Sequence, residues 1–184
     1  MKNLLLAIAV ASIGLFSSCD KCKDKTCENS ASCDKKTADC SNVCVNGGTS
    51  NSSDGSCACA EYYNGGTCIK EVRSDYVGTY IGNFTEIGSG EVDIDTMVVE
   101  LSGTDVKMLV LKGEGDEDDP DVTLELTSNT AFKFSYSIPD NGDVLTIVGT
   151  GTFSRTSMNM ETVGSGFDDG QAFTYTEKFD GIKQ

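Results

Sequence analysis

Nine cysteines stand at positions 19, 22, 27, 33, 40, 44, 57, 59 and 68, and the 116 residues after Cys68 contain none. No other feature constrains the fold as much. So short a segment buries too little apolar surface to hold itself together, and cysteines at this density act as covalent staples. The cysteine-free remainder must fold by its own core. Zinc is a weak rival, because the chain has no histidine and its only C-x-x-C is Cys19/Cys22. Cys57 and Cys59 flank a single residue. In an extended chain their Cα atoms lie near the ~7 Å limit for a bridge, so each finds its partner elsewhere.

The first eighteen residues read as an address. Lys2 supplies a positive start, and Leu4 to Phe16 form an apolar stretch too short to span a bilayer and be retained. It ends Leu15-Phe16-Ser17-Ser18-Cys19. Two small residues before a cysteine resemble the lipobox of bacterial lipoproteins, with Phe16 where that pattern has Leu. The resemblance implies that residues 1–18 are removed and that Cys19 carries acyl chains such as palmitate. It also implies a protein anchored to a membrane of the cell envelope through that lipid. Asp20 after the lipidated cysteine is an inner-membrane signal in some bacteria only, and the outer membrane is the expected address. The alternative is an ordinary secretory signal that happens to meet a cysteine. No later stretch approaches the ~18 apolar residues of a membrane helix. With Cys19 set aside, eight cysteines remain in an exported chain, an even set that implies disulfides.

The spacing then becomes specific. Cys40-x-x-x-Cys44-Val45-Asn46-Gly47-Gly48-Thr49, Cys57-x-Cys59 and Tyr63-x-Gly65-x-x-Cys68 resemble an EGF-like module over residues 40–70. The resemblance implies that Cys44 pairs with Cys57 and Cys59 with Cys68. Ser50 stands where the family has its third cysteine, and Tyr62 replaces a usual glycine. Cys40 is therefore left to pair upstream, with Cys22, Cys27 or Cys33, and the four allow three pairings. The acidic run that marks calcium-binding members is absent before Cys40, where the chain reads Lys36-Thr37-Ala38-Asp39. Residues 19–39, mixed in charge and rich in Lys, Asp and Ser, read as a solvated tether.

Residues 71–184 read as strands. Phe132, Phe134, Tyr136 and Ile138 alternate with Lys133, Ser135 and Ser137, and Val122, Leu124 and Leu126 with Thr123 and Glu125. Pro139-Asp140-Asn141-Gly142 is a hairpin signal, because Asn-Gly accepts the positive φ of tight turns. Strands are expected near 77–85, 92–101, 105–112, 122–126, 132–138, 143–154, 157–163 and 171–179. The apolar phase changes between Val92/Ile94 and Met97/Val99/Leu101, which predicts a bulge near Thr96. The expected fold class is mainly β: a disulfide-rich module, then an antiparallel meander barrel or sandwich. Gly78-Thr79-Tyr80 resembles the Gly-x-Trp of lipocalins, and the half as a whole resembles lipocalin-like domains of bacterial lipoproteins. Arg73-x-x-Tyr76-Val77-Gly78-Thr79-Tyr80 after an EGF-like stretch looks like a recurrent lipoprotein design, which implies a binding role and no particular chemistry.

Charge and composition narrow the function. Lys+Arg number 14 against 29 Asp+Glu, a net −15. Seven basic and 22 acidic side chains lie in residues 71–184. Nucleic acid is excluded as a partner, since phosphate binding rests on clustered Lys and Arg. Without histidine there is no Ser-His-Asp or Cys-His nucleophile pair, and no enzyme activity or cofactor is expected. Paired carboxylates performing hydrolysis remain a remote alternative. Glu114 to Asp121 offers oxygen ligands but lacks EF-hand spacing, and reads as a solvated loop, as does Asp168-Asp169. Phe84, Phe132, Phe134, Tyr136, Phe153, Phe173 and Tyr175 supply enough bulk to fill a small barrel. The expected function is a lipid-anchored binding or structural module of the envelope with a protein or glycan partner. The alternative is a carrier holding a small apolar ligand in the barrel.

Overall fold

The computed structural model describes residues 26–27, 32–34, 39–113, 120–140, 143–168 and 170–184. The signal segment, Cys19, Cys22, residues 114–119, the Asn141-Gly142 turn and Asp169 lie outside the described residues.

Three short ribbons come first. β1 (Ser32–Cys33) pairs with β2 (Cys40–Ser41), β3 (Thr49–Ser50) with β4 (Cys57–Ala58), and β5 (Tyr63–Asn64) with β6 (Lys70–Glu71). Ribbons this short have no independent stability. Disulfides hold them: Cys27–Cys40, Cys44–Cys57 and Cys59–Cys68, with Cα atoms 5.7, 5.8 and 5.2 Å apart. Sequence separations of 13, 13 and 9 make each worth about 3 kcal/mol in chain entropy. The last two are the pairs the EGF-like spacing implies, and Cys40 takes Cys27 from its three candidates. Cys33 is also disulfide-bonded. Within the stretch expected to be a solvated tether, residues 19–39, the described Cys27 and β1 are therefore stapled to β2 by the Cys27–Cys40 bridge and by the β1–β2 pairing. Ser50, where a cysteine would be expected, accepts a hydrogen bond from the Asn42 N–H at 3.2 Å.

Eight longer strands follow: β7 (Gly78–Glu86), β8 (Val92–Leu101), β9 (Met108–Lys112), β10 (Val122–Leu126), β11 (Ala131–Asp140), β12 (Asp143–Phe153), β13 (Ser157–Asp168) and β14 (Gln171–Lys183). Each pairs antiparallel with the next, and β14 returns to β7, so the sheet closes as a barrel and no edge is exposed. β11 and β12 pair as far as Asp140 opposite Asp143, the register that the Asn-Gly signal predicts. The β9 strand starts at Met108 rather than 105, because Met108 N–H bonds the Asp105 carbonyl in a turn.

The predicted bulge is absent. β7 and β8 stay in unbroken register from Gly78 opposite Val99 to Thr85 opposite Val92. Val92 and Ile94 face outward and are exposed, while Val99 is fully buried and Met97 packs against the core. The alternation never slips; at one end of the barrel acids take the inward places.

Inward glycines make room for rings. A Cβ on Gly149 or Gly151 would come within 2.2 or 2.3 Å of Phe134 or Phe132, the residues directly opposite on β11. Gly164 stands in the same relation to Tyr175 on β14, at 2.2 Å. A small barrel thus holds large aromatics by giving each a side-chain-free neighbour.

Candidate functional site: a half-polar cup in the barrel

One end of the barrel is sealed by the chain that enters it. A single 3-10 turn (Val72–Asp75) leads into β7, and Val72, Tyr76 and Tyr62 are buried with the barrel core. Arg73, only 3% exposed, bonds the Ser102 and Met108 carbonyls at 3.0 and 2.9 Å and the Gly103 carbonyl at 3.2 Å. Its Nε bonds Glu71 at 2.7 Å. Tyr76 stacks on Phe153 at 4.6 Å and donates its hydroxyl to the Asn129 carbonyl. Tyr80 donates to the Tyr76 carbonyl at 2.7 Å. Arg73, Tyr76 and Tyr80, singled out in the sequence, therefore form a closure.

Tyr62 completes it. Its φ of 69° is left-handed, which explains why a glycine suits this place in the spacing; for a tyrosine it costs about 1–2 kcal/mol. Burial of the ring, the Lys107 ammonium 5.0 Å above it, and an N–H bond to Asn129 Oδ1 at 2.7 Å hold it there.

The opposite end is open inside. Leu109, Leu124, Leu126, Phe132, Phe153, Met158 and Phe179 pack the sealed half. Beyond them lies a cavity of about 170 Å³. Phe134, Ile147, Leu111 and Met160 border it as buried groups, and Phe84, Tyr136 and Tyr175 as half-buried ones. Pockets for drug-sized ligands run to ~300–1,000 Å³, whereas ~150 Å³ accommodates benzene. Among the seven aromatics expected to fill the barrel, Phe132 and Phe153 do so, while Phe84, Phe134, Tyr136 and Tyr175 line the space. Phe173 stacks on Tyr175 with ring centres 6.4 Å apart.

The cavity wall is also acidic. Glu177 on β14 borders it and lies directly opposite Glu86 on β7. Burial, then Glu86 and more weakly Asp93, push the Glu177 carboxyl above the usual glutamate range. The Thr162 hydroxyl pulls it back somewhat, although it makes no hydrogen bond of normal geometry and is buried with the residue 6% exposed. Burial and Glu177 together raise the Tyr175 phenol. Asp95 borders the same space. The only basic residue there among the described residues, Lys112, is tied to Asp121. Asp121 is the part of the acidic run that is described, and no group of three or more metal-ligating side chains occurs among the described residues.

The outside offers less. A shallow groove over β11–β14 is lined by Lys133, Glu161, Lys178 and Asp180. Its charges are committed to neighbours: Lys133–Glu125 at 3.1 Å, Lys178–Glu161 at 3.3 Å, and Asn159 with Asp180. Some exposed aliphatics form cross-strand pairs, Val148 opposite Val163 and Ile81 opposite Ile182. The polar rows of Glu161/Lys178 and Asn159/Asp180 separate them.

No family model, curated protein or solved structure matches this chain. Sequence reasoning passed over Glu177, Asp95 and Thr162. Their signal was phase: Glu177 falls in step with inward Phe173, Tyr175 and Phe179, and Thr162 with Met158 and Met160.

Proposed function

We propose that this chain is a lipid-anchored cell-envelope binding protein, held by acyl chains on Cys19 and built as a disulfide-stapled EGF-like module and a small-ligand barrel. One observation carries the binding role: a barrel packed at one end keeps a walled space of about 170 Å³ at the other. Packing alone would favour filling that space, since an empty cavity forfeits contacts. The ligand that fits has about six to ten non-hydrogen atoms, judged against the benzene-sized cavity. The disulfide-rich module docks on the sealed end through Tyr62, Val72 and Tyr76, which leaves the cup at the other end of the barrel. An apolar carrier reading fits less of the wall, because a wholly apolar guest would shield Glu177 and Asp95 from water and offer them no counter-charge. The outer surface, with its paired charges and separated aliphatics, supports a protein or glycan partner less than the cup supports a small molecule.

Ligand-observed NMR with a library of fragments of this size, on the purified oxidised protein, tests the cup. Binding of some fragments is expected, and Val122→Phe, which puts a ring into the space, should abolish it. Absence of any binding, or binding untouched by Val122→Phe, would refute the reading. Labelling with radioactive palmitate, lost in Cys19→Ser, tests the anchor.

A further inference from the structure

The geometry points to a small organic cation, an amine with an aromatic or compact apolar body, as the ligand class of the cup. This rests on the small-ligand reading above and narrows it. The cavity joins two kinds of wall. Phe84, Phe134, Tyr136 and Tyr175 offer ring faces and edges, while Glu177 and Asp95 offer carboxylates. Glu86 stands directly opposite Glu177, and Asp93 is close enough to act on its carboxyl. Aromatic faces and carboxylates both attract an ammonium, and both repel or ignore an anion.

Thr162 is the independent pointer to a ligand. Its hydroxyl is buried, borders the same cavity and, although directly opposite Glu177, makes no hydrogen bond of normal geometry. Buried polar groups are rarely left so. A bound ammonium beside Glu177 leaves that hydroxyl free to donate to the ligand or to accept from it. The acids favour the same guest: Glu177 and Glu86 are like charges across one strand pair, and a cation in the cavity beside Glu177 offsets that repulsion.

A bare metal ion fits the wall less well. It would want six or more oxygen ligands, and no metal-binding group is found among the described residues. Neither would it use the rings. An anionic ligand would meet Glu177 and Asp95 with no free base, since Lys112 is bound to Asp121.

Three probes of nearly one size separate the possibilities: benzylamine, benzyl alcohol and benzoate, titrated into the purified oxidised protein by calorimetry or ligand-observed NMR. Benzylamine should bind at least ten-fold more tightly than benzyl alcohol, and benzoate should not bind. Glu177→Gln, close to isosteric, should remove most of the benzylamine preference while leaving benzyl alcohol binding within two-fold. Asp95→Asn should weaken benzylamine in the same direction and serves if Glu177→Gln fails to fold. Calcium chloride at equal concentration should not displace benzylamine. Equal binding of benzylamine and benzyl alcohol would overturn the cationic inference while leaving the cup intact. Displacement by calcium, or a preference unchanged in both variants, would overturn it too. Binding by none of the three would overturn the inference and count against the cup itself.

Discussion

Glu177→Gln should make the protein more stable at neutral pH, and less so as the pH falls. The carboxyl at 177 faces Glu86 across the β14–β7 ladder, inside a half-buried wall. Like charges directly opposite in a sheet cost roughly 0.2–1 kcal/mol. Burial adds a desolvation cost, and Asp93 adds repulsion. Because Glu177 is only half-buried, solvent screens these terms, and a total near ~1 kcal/mol is expected. For a chain of this size that corresponds to a rise in Tm of about 2–4 °C.

The sign follows from linkage. Burial and Glu86 raise the folded-state value above the ordinary 4.5, so the folded protein holds this proton more tightly than the unfolded chain does. Its contribution favours folding below the unfolded value and is lost as pH rises through the folded one. Glutamine does not titrate. The gain of the variant should therefore be near zero below pH ~4, grow above it, and reach a plateau. Thermal melts of both proteins followed by circular dichroism from pH 3.5 to 8 provide the difference curve. The other groups sharing this wall, Glu86, Asp93, Asp95, Tyr136 and Tyr175, are common to both proteins and cancel to first order. A variant no more stable than the parent at pH 7.5, or a gain that is flat with pH, would refute the reasoning.

Other outcomes concern the closure and the packing. Arg73→Ala strands three carbonyls in and beside the β8–β9 loop, which water can partly reach, and should cost about 2–4 kcal/mol in urea unfolding; Arg73→Lys, lacking the planar fork, should recover less than half. Gly82→Ala should cost about 2–3 kcal/mol, because its Cβ would meet the Asp180 backbone oxygen at 2.2 Å. Gly166→Ala, 3.2 Å from a ring edge of Phe173, should cost under ~1 kcal/mol, and equal losses at both sites in the same urea assay would show the packing account to be wrong. Cys59→Ser with Cys68→Ser removes about 2.5 kcal/mol of loop constraint around Tyr62, and limited proteolysis should then cut within residues 60–67 while the barrel strands stay protected.

Much of the barrel was legible because closure makes one face of every strand a core face. Phe132, Phe134 and Tyr136 on β11, and Val122, Leu124 and Leu126 on β10, alternate as that geometry requires. The rule fails at the open rim. There the inward side of β8 meets a watered, acidic mouth, so Asp93 and Asp95 point in and Val92 and Ile94 point out. Read as a hydrophobic pattern, that inversion mimics a bulge. The cavity was not legible either, since aromatic bulk in the sequence says nothing of which ring lies on which glycine. Gly149 and Phe134 become neighbours only through the β11–β12 register. The disulfide spacing was more informative: a nine-residue step from Cys59 to Cys68 and thirteen from Cys44 to Cys57 are both bridged. The choice of Cys27 for Cys40 depended on how the chain upstream folds back, which spacing does not encode.

Stability and binding are therefore divided along the barrel axis. The sealed half contains the fully buried Tyr80, Phe132, Leu109, Leu124, Met158 and Phe179, together with the Arg73 and Tyr62 closure. Burial of an apolar side chain of that kind is worth about 1.5–3 kcal/mol, several times the cost of one like-charge pair at the mouth. The fold can tolerate an acidic, incompletely packed open end because its other end is overdetermined. If the acids are there for a cationic guest, the two readouts of Glu177→Gln must move in opposite directions: the empty protein gains stability and loses its hold on benzylamine. A purely structural glutamate would lose stability on substitution, and an idle surface acid would change neither.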